Sequence, residues 1–249
     1  MAADPTSPPT PRPGEPAFST SHLVYLWLAG LFVSSLLIAD ITGVKLFQFK
    51  VGGWTVQHTC GMLTFPITFL LTDLVNEYYG KRAARRLVWL ALAMGGFVFI
   101  VVNIALAMPR WEAPFNIKAG SFEDVFANSR VMYVASLGAF LVGSLSDIAI
   151  FGWVKRLTGG RMVWLRATGS TVVSQFIDSF IVTWLAFSVG RMLLPTDTAP
   201  MPMGEVLATA ATGYMLKFVI AVGLTPVIYL GRWVMTNRLG MRPIPAAGG

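Results

Sequence analysis

The chain has 249 residues, of which 55% are apolar and 12% are charged, and its mean hydropathy is +0.64. Because a soluble domain carries about a quarter charged residues, this composition excludes an ordinary soluble enzyme and indicates a membrane protein. A single cysteine, Cys60, excludes a disulfide framework, and His22 and His58 are the only histidines. We therefore expect no metal site and no cofactor.

Residues 1–22 contain six prolines and show no apolar periodicity. This composition predicts a disordered cytoplasmic tail. The apolar run that follows lacks the basic start and the small-residue cleavage site of a secretory signal, so we expect it to stay in the protein as a membrane span.

Apolar blocks then recur at residues 23–44, 61–79, 87–108, 131–154, 167–190 and 208–230. A helix of about 20 residues crosses a hydrocarbon core of about 30 Å. The sequence therefore predicts an all-α membrane protein with six transmembrane helices in residues 23–232, followed by a short basic cytoplasmic tail, 233–249. Residues 109–130 are too polar to span and are expected at the outer interface.

The basic residues give the orientation of these spans. Twelve of the 19 fall in the N-terminal tail, the second-to-third loop, the fourth-to-fifth loop and the C-terminus. The positive-inside rule then places both termini in the cytoplasm. This topology explains the net charge of +7. Because the basic residues form short clusters that flank spans, contact with anionic lipid is favoured over nucleic-acid binding.

Acidic side chains inside spans indicate function, because each costs about 2.5 to 3.5 kcal/mol at the bilayer centre on insertion scales. Five are candidates, together with one lysine: Asp40, Asp73, Glu77, Asp147, Asp178 and Lys217. Counting residues to the nearest cytoplasmic basic cluster places Asp73 and Asp147 about 12 Å from the inner boundary. The same count places Asp178 and Lys217 about 18 and 22 Å from it.

Asp178 and Lys217 are therefore predicted to meet near the membrane midplane. Two interpretations stay open: the charges only neutralise each other, or the pair lines a cavity that opens to a substrate or a proton. On the fifth span, Thr171, Gln175 and Asp178 share one helix face. On the second, Asp73 clusters with Asn76 and Glu77 in a stripe that is predicted to point inward.

Two members of the second stripe have simpler interpretations. Glu77 precedes Lys81 by four residues, so an interfacial salt bridge is favoured over a ligand contact. Asn76 fits an ordinary interhelical hydrogen bond. Sequence motifs of ATP hydrolysis, zinc proteases and serine hydrolases do not occur in the chain, so we expect neither ATPase nor other enzyme activity.

Two segments carry a resemblance to a known family. They are FPITFLLTDLVNEYYGKRAARR (residues 65–86) and LRATGSTVVSQFIDSF (residues 165–180). With them, the chain resembles the bacterial queuosine precursor transporters, also called the vitamin uptake transporter family, over all six spans. The resemblance implies a multi-pass inner-membrane importer of 7-cyano-7-deazaguanine or 7-aminomethyl-7-deazaguanine, which are precursors of the tRNA nucleoside queuosine.

The resemblance also implies a binding site for this purine-like substrate. The implied substrate-binding residues are Asp73, Asp147, Gln175, Asp178 and Lys217, with Asp40, Asn76, Glu77 and Ser144 as secondary candidates. Many relatives carry Asn in place of Asp40 and Gln in place of Ser144. The alternative is a substrate-capture subunit that needs separate ATPase partners, since the six-helix arrangement is similar to that of energy-coupling-factor vitamin transporters. A homo-oligomer is compatible with either.

Overall fold

The computed structural model of the chain describes residues 19–52, 54–127, 130–159, 163–193 and 199–245. The α-helices are α1 (Thr20–Thr42), α2 (Phe65–Ala107), α3 (Ser121–Phe126), α4 (Arg130–Leu157), α5 (Val163–Trp184), α6 (Gly190–Leu193), α7 (Met203–Gly223) and α8 (Thr225–Trp233). A hairpin of β1 (Leu46–Val51) and β2 (Trp54–Thr59) follows α1. A 3-10 turn, Cys60–Leu63, leads into α2, and π turns at Leu185–Val189 and Val234–Arg238 follow α5 and α8.

Within the described residues, five helical segments are long and apolar enough to cross a membrane: Thr20–Thr42, Cys60–Ala107, Ser121–Leu157, Gly169–Met192 and Met203–Arg238. The predicted membrane protein of mostly helical structure is thus confirmed. Six predicted spans fall on five segments because the second and third spans both lie in α2. Large apolar side chains such as Trp27, Phe97 and Ile104 are exposed along these helices, as lipid-facing residues are.

The helix α2 is interrupted at Gly80, where φ is 83° and ψ is 171°. Only glycine adopts this conformation without strain. The break separates a first half, residues 65–79, from a second half, residues 81–107. The carbonyl of Glu77 consequently lies at the end of a helix and needs a partner other than the next turn.

The C-terminal residues supply that partner. The backbone N–H of Ile244 donates to the Glu77 carbonyl at 2.9 Å. The Ile244 side chain lies over Gly80, 3.3 Å from where a Cβ would stand. The Tyr79 hydroxyl lies 3.8 Å from the Met241 sulfur. The described part of the predicted C-terminal tail therefore folds back onto the break in α2.

The hairpin corrects the all-α prediction for residues 46–59. The two strands pair antiparallel, with Phe47 opposite His58 and Gln48 opposite Gln57. Polar and apolar residues alternate in LFQFKV, and two glycines separate the strands, which are the signals of a hairpin. An alternating strand has no continuous apolar run, so these residues do not stand out as an apolar block.

The start of α1 corrects the boundary of the predicted N-terminal tail. The helix begins at Thr20, and the Ser19 side chain caps it by accepting the backbone N–H of His22. Residues 1–18 of the predicted tail lie outside the described residues. The segment between α2 and α4 holds only the short helix α3 among its described residues, as its polarity predicts.

Helix packing brings α5 to the middle of the site. It lies against α4 on one side and α7 on another, while α2 packs against α1 and α4. Small residues permit these close approaches: Ala135, Ala139 and Gly143 of α4 follow at steps of four, and the two alanines are buried. At Gly143, an added Cβ would lie 3.1 Å from the Cβ of Asp178 on α5.

Candidate functional site

A cavity lies between the first half of α2 and helices α5, α7 and α8. It is lined by Phe65, Pro66, Phe69, Leu70, Asp73, Thr171, Gln175, Lys217, Ala221, Leu224 and Ile228. Its volume is about 20 Å³, which is room for one or two water molecules. This space is too small for a heterocycle, so a larger ligand requires the lining helices or side chains to separate.

One face of α2 supplies the aromatic part of the lining. Phe65, Phe69 and Asp73 follow at steps of four residues and so share that face. The two rings are 5.4 Å apart between centroids and meet edge to face at 70°. Asp73 is 3% exposed at the far end of the same stripe. The stripe presents apolar ring surface beside a buried carboxyl group.

Lys217 of α7 forms a buried ion pair with Asp178 of α5, as the depth estimate predicted. The side chains are 9% and 3% exposed. The Lys217 ammonium also lies 5.1 Å from the centroid of the Phe65 ring, within reach of a cation–π interaction. Lys217 lines the cavity while Asp178 stands behind it, so the cation is the member of the pair that a ligand meets first.

Gln175 is buried beside this pair, at 3% exposure. Among the residues that the structure describes, nothing accepts a hydrogen bond from its Nε2 amide group. Buried amides are nearly always hydrogen-bonded in folded proteins. Because Gln175 lines the cavity, a bound molecule or a water is the natural acceptor for this N–H group.

Asp147 lies outside the cavity, although the resemblance groups it with the residues above. It is fully buried on α4, and the Ser174 hydroxyl of α5 donates to its Oδ1 at 3.1 Å. The hydroxyl groups of Ser170 and Thr171 lie beside the same carboxyl. Thr171 also lines the cavity, so a single side chain separates Asp147 from the space where a ligand would bind.

The secondary candidates also lie away from the cavity. Asp40 of α1 accepts a hydrogen bond of 2.7 Å from Ser136 of α4. The Asn76 amide donates to the carbonyl of Ile148 at 3.5 Å, and Ser144 is buried on α4. These contacts hold helices together.

Glu77 forms an ion cluster with two cations from other helices. Its carboxylate lies 3.0 Å from the Lys155 ammonium of α4 and 3.7 Å from the Arg232 guanidinium of α8. The glutamate side chain is 5% exposed. Glu77 therefore ties α2, α4 and α8 together through salt bridges, whereas the sequence suggested Lys81 as the nearest basic neighbour.

His58 of β2 brings the hairpin close to the site. Its Nδ1 accepts the backbone N–H of Thr59 at 2.8 Å, and its Nε2 faces Gly213 of α7, one helical turn before Lys217. Burial, together with the positive charge of Lys217, lowers the pKa of His58 below its usual value. The imidazole is therefore neutral at pH 7 and carries its hydrogen on Nε2.

Of the five substrate-binding residues that the resemblance implies, Asp73, Gln175 and Lys217 line the cavity, whereas Asp147 and Asp178 do not. Sequence reasoning missed Phe65 and Phe69. The steps of four that join them to Asp73 are the signal that would have found them, because residues so spaced share a helix face. Among the described residues, no group of three His, Cys, Asp or Glu side chains is placed to hold a metal ion.

Comparison with protein families assigns the region that contains this cavity. Residues 59–231 match the family model described as "Putative vitamin uptake transporter". The chain belongs to the vitamin uptake transporter family. The matched region includes every residue that lines the cavity.

Three relatives are similar to more than half of the chain. The "Probable queuosine precursor transporter" of Bacillus subtilis is 29% identical over 72% of this chain and 73% of its own length. The protein with the same name from Haemophilus influenzae is 26% identical over 54% of each chain. The "Queuosine precursor transporter" of Escherichia coli is 27% identical over 57% of this chain and 61% of its own length.

All three relatives are named as transporters, so the prediction that this family member is not an enzyme is confirmed. Their source organisms, together with the apolar helices, identify a multi-pass bacterial membrane protein. No solved structure matches the chain significantly.

Proposed function

We propose that this protein imports queuosine precursors, 7-cyano-7-deazaguanine or 7-aminomethyl-7-deazaguanine, across the bacterial inner membrane to supply tRNA modification. The observation that carries the proposal is the cavity, which combines Asp73, Gln175 and Lys217 with two phenylalanine rings inside the family-matched region. The names of the three relatives support the same substrate class.

The cavity chemistry suits a flat heterocycle with a guanine-like edge. The Asp73 carboxylate would accept two N–H groups from that edge. The free amide hydrogens of Gln175 would meet the ring carbonyl, and Phe65 and Phe69 would pack against the ring faces. We infer that Asp178 acts through Lys217, which it holds at the cavity wall.

We infer six membrane crossings, with both halves of α2 crossing separately. Contacts of α2 and of the turn before it with α1 and α4 support this topology. Just before the first half, Gly61 of the 3-10 turn lies against the carbonyl of Ala39, near the C-terminal end of α1. At the end of that half, the Tyr79 hydroxyl donates to the Ser21 carbonyl, near the N-terminal end of α1. That half therefore runs antiparallel to α1.

The second half of α2 returns in the opposite direction. The Ala83 carbonyl accepts a hydrogen bond from Tyr25, near the start of α1. Further along, the Gly95 carbonyl accepts one from Tyr133 of α4, a single helical turn from the Ser136 that contacts Asp40. The chain thus reverses at Gly80, and the basic residues that follow it place this reversal in the cytoplasm under the positive-inside rule.

The alternative is a substrate-capture subunit that depends on separate ATPase proteins. Reconstitution separates the two proposals. Purified full-length chain in liposomes is expected to exchange labelled 7-cyano-7-deazaguanine for unlabelled compound inside, without ATP. A protein that binds the compound but never moves it would favour the capture subunit.

The cavity assignment is tested in a bacterial strain that cannot make queuosine precursors or import them. Supplied with each deazaguanine in turn, the unaltered chain is expected to restore queuosine in tRNA. Asp73→Asn and Gln175→Leu are expected to abolish this rescue at equal membrane abundance, because each removes a proposed substrate contact. Asp124→Asn, an identical chemical change at an exposed position of α3, is the matched control and should rescue fully. Full rescue by both cavity variants would refute the assignment.

A further inference from the structure

We propose that Asp147 is the site at which this protein binds a co-transported proton, so that precursor import is driven by the proton gradient. This inference rests on the proposed import function and adds its energy source. It starts from the placement of Asp147, which is fully buried and separated from the substrate cavity by Thr171.

The surroundings of Asp147 contain hydroxyl groups and no cation among the described side chains. Ser174 donates to Oδ1, while Oδ2 finds no hydrogen-bond partner among the described residues. An ionised carboxylate so placed costs several kcal/mol, whereas a neutral polar group with one unmade hydrogen bond costs about 1–3 kcal/mol. This environment therefore favours the protonated, neutral carboxyl group over the carboxylate.

The other buried acids on neighbouring elements have different surroundings. Glu77 of α2 is held by Lys155 and Arg232, and Asp178 of α5 is paired with Lys217.

Asp73 is the remaining titratable group on the face that α2 turns toward these helices, and it lines the cavity. On α4 itself, the nearest cation, Lys155, follows two turns later and is engaged with Glu77. Asp40 of α1 accepts a hydrogen bond from Ser136 of α4 but is only partly buried. Asp147 is thus the fully buried acid, at 0% exposure, whose charge state can change without breaking a described ion pair.

The proposed cycle moves one proton with each substrate. When the cavity opens outward, a proton from the outer solution bonds to an Asp147 carboxylate oxygen, and the neutral side chain permits closure. When the cavity opens inward, that O–H bond breaks and the proton enters the cytoplasm with the substrate. The Thr171 hydroxyl lies beside the carboxyl on a residue that also lines the cavity, and it would relay the proton.

The test uses purified full-length protein in liposomes with the membrane potential held at zero. An inward proton gradient of one pH unit should drive about tenfold accumulation of labelled 7-cyano-7-deazaguanine, the limit for one proton per neutral substrate. A pH-sensitive dye inside the vesicles should report proton entry when the compound is added. These two measurements need no variant and so do not depend on folding of a mutant.

The variant Asp147→Asn should lose gradient-driven accumulation, from about tenfold to onefold, while exchange of labelled for unlabelled compound continues within about twofold. Asp147→Glu, which keeps a titratable carboxyl, should restore part of the accumulation. Absence of exchange by the unaltered protein would refute the import function itself. Exchange without proton entry, or unchanged accumulation by Asp147→Asn, would refute the proton site alone.

Discussion

The buried pair of Lys217 and Asp178 makes a quantitative prediction about stability. Replacing Lys217 by Met leaves the buried Asp178 carboxylate without its cation. Breaking a buried ion pair by removing one partner costs about 3–5 kcal/mol. At about 2–4 °C per kcal/mol for a chain of this size, the melting temperature should fall by about 6 to 20 °C.

The opposite single change, Asp178→Asn, should lower the melting temperature by less. In Asp178→Asn, the Lys217 ammonium keeps its contact with the Phe65 ring, and at 9% exposure it retains some access to the cavity. The double variant, Asp178→Asn with Lys217→Met, removes both charges. It should melt above the Lys217→Met variant, because no uncompensated charge remains in the interior.

The assay is thermal unfolding of the three variants in one detergent, followed by uptake measurements on each. A double variant that loses as much stability as the two single variants together would refute the reasoning, since independent residues add and coupled residues do not. The uptake measurements then distinguish the two interpretations of the Asp178–Lys217 pair. A stable double variant without uptake identifies a binding role, and one with full uptake identifies a structural pair.

Three further predictions follow from the hairpin, the break in α2 and the topology. Because the pKa of His58 is lower in the folded protein than in the unfolded chain, stability should be lost as pH falls below about 6.5; His58→Asn should flatten this dependence in thermal unfolding, and an unchanged pH profile would contradict it. Gly80→Ala should destabilise the protein by about 1–3 kcal/mol, whereas Gly96→Ala, at an open helical position, should not; equal melting temperatures would contradict the strain at Gly80. In a cysteine-free background, Lys81→Cys should react with impermeant thiol reagents only from the cytoplasm and Phe115→Cys only from outside; labelling of both from one side would exclude the reversal at Gly80.

Most of the helical frame could be predicted from the sequence because lipid imposes a simple requirement. A span must be apolar over about 20 residues, and buried charges stand out against that background. The same reasoning placed Asp178 and Lys217 at similar depth, and they do form a pair. Depth along a helix is a one-dimensional quantity that residue counting gives directly.

Position across the bundle could not be predicted in the same way. Asp73 and Asp147 are predicted at a similar depth, yet only Asp73 lines the cavity. The difference depends on how each helix is rotated against its neighbours, which is set by side-chain packing far away in sequence. The partners of Glu77 were missed for the same reason, since Lys155 and Arg232 come from two other helices.

The contact between Ile244 and the Glu77 carbonyl bears on the order of assembly in the membrane. Glu77 enters the membrane early during synthesis, while Ile244 leaves the ribosome only after every helix described above has been made. Until then, this carbonyl at the break in α2 has water or lipid headgroups as partners. This end of the bundle is therefore completed only after Ile244 has been made.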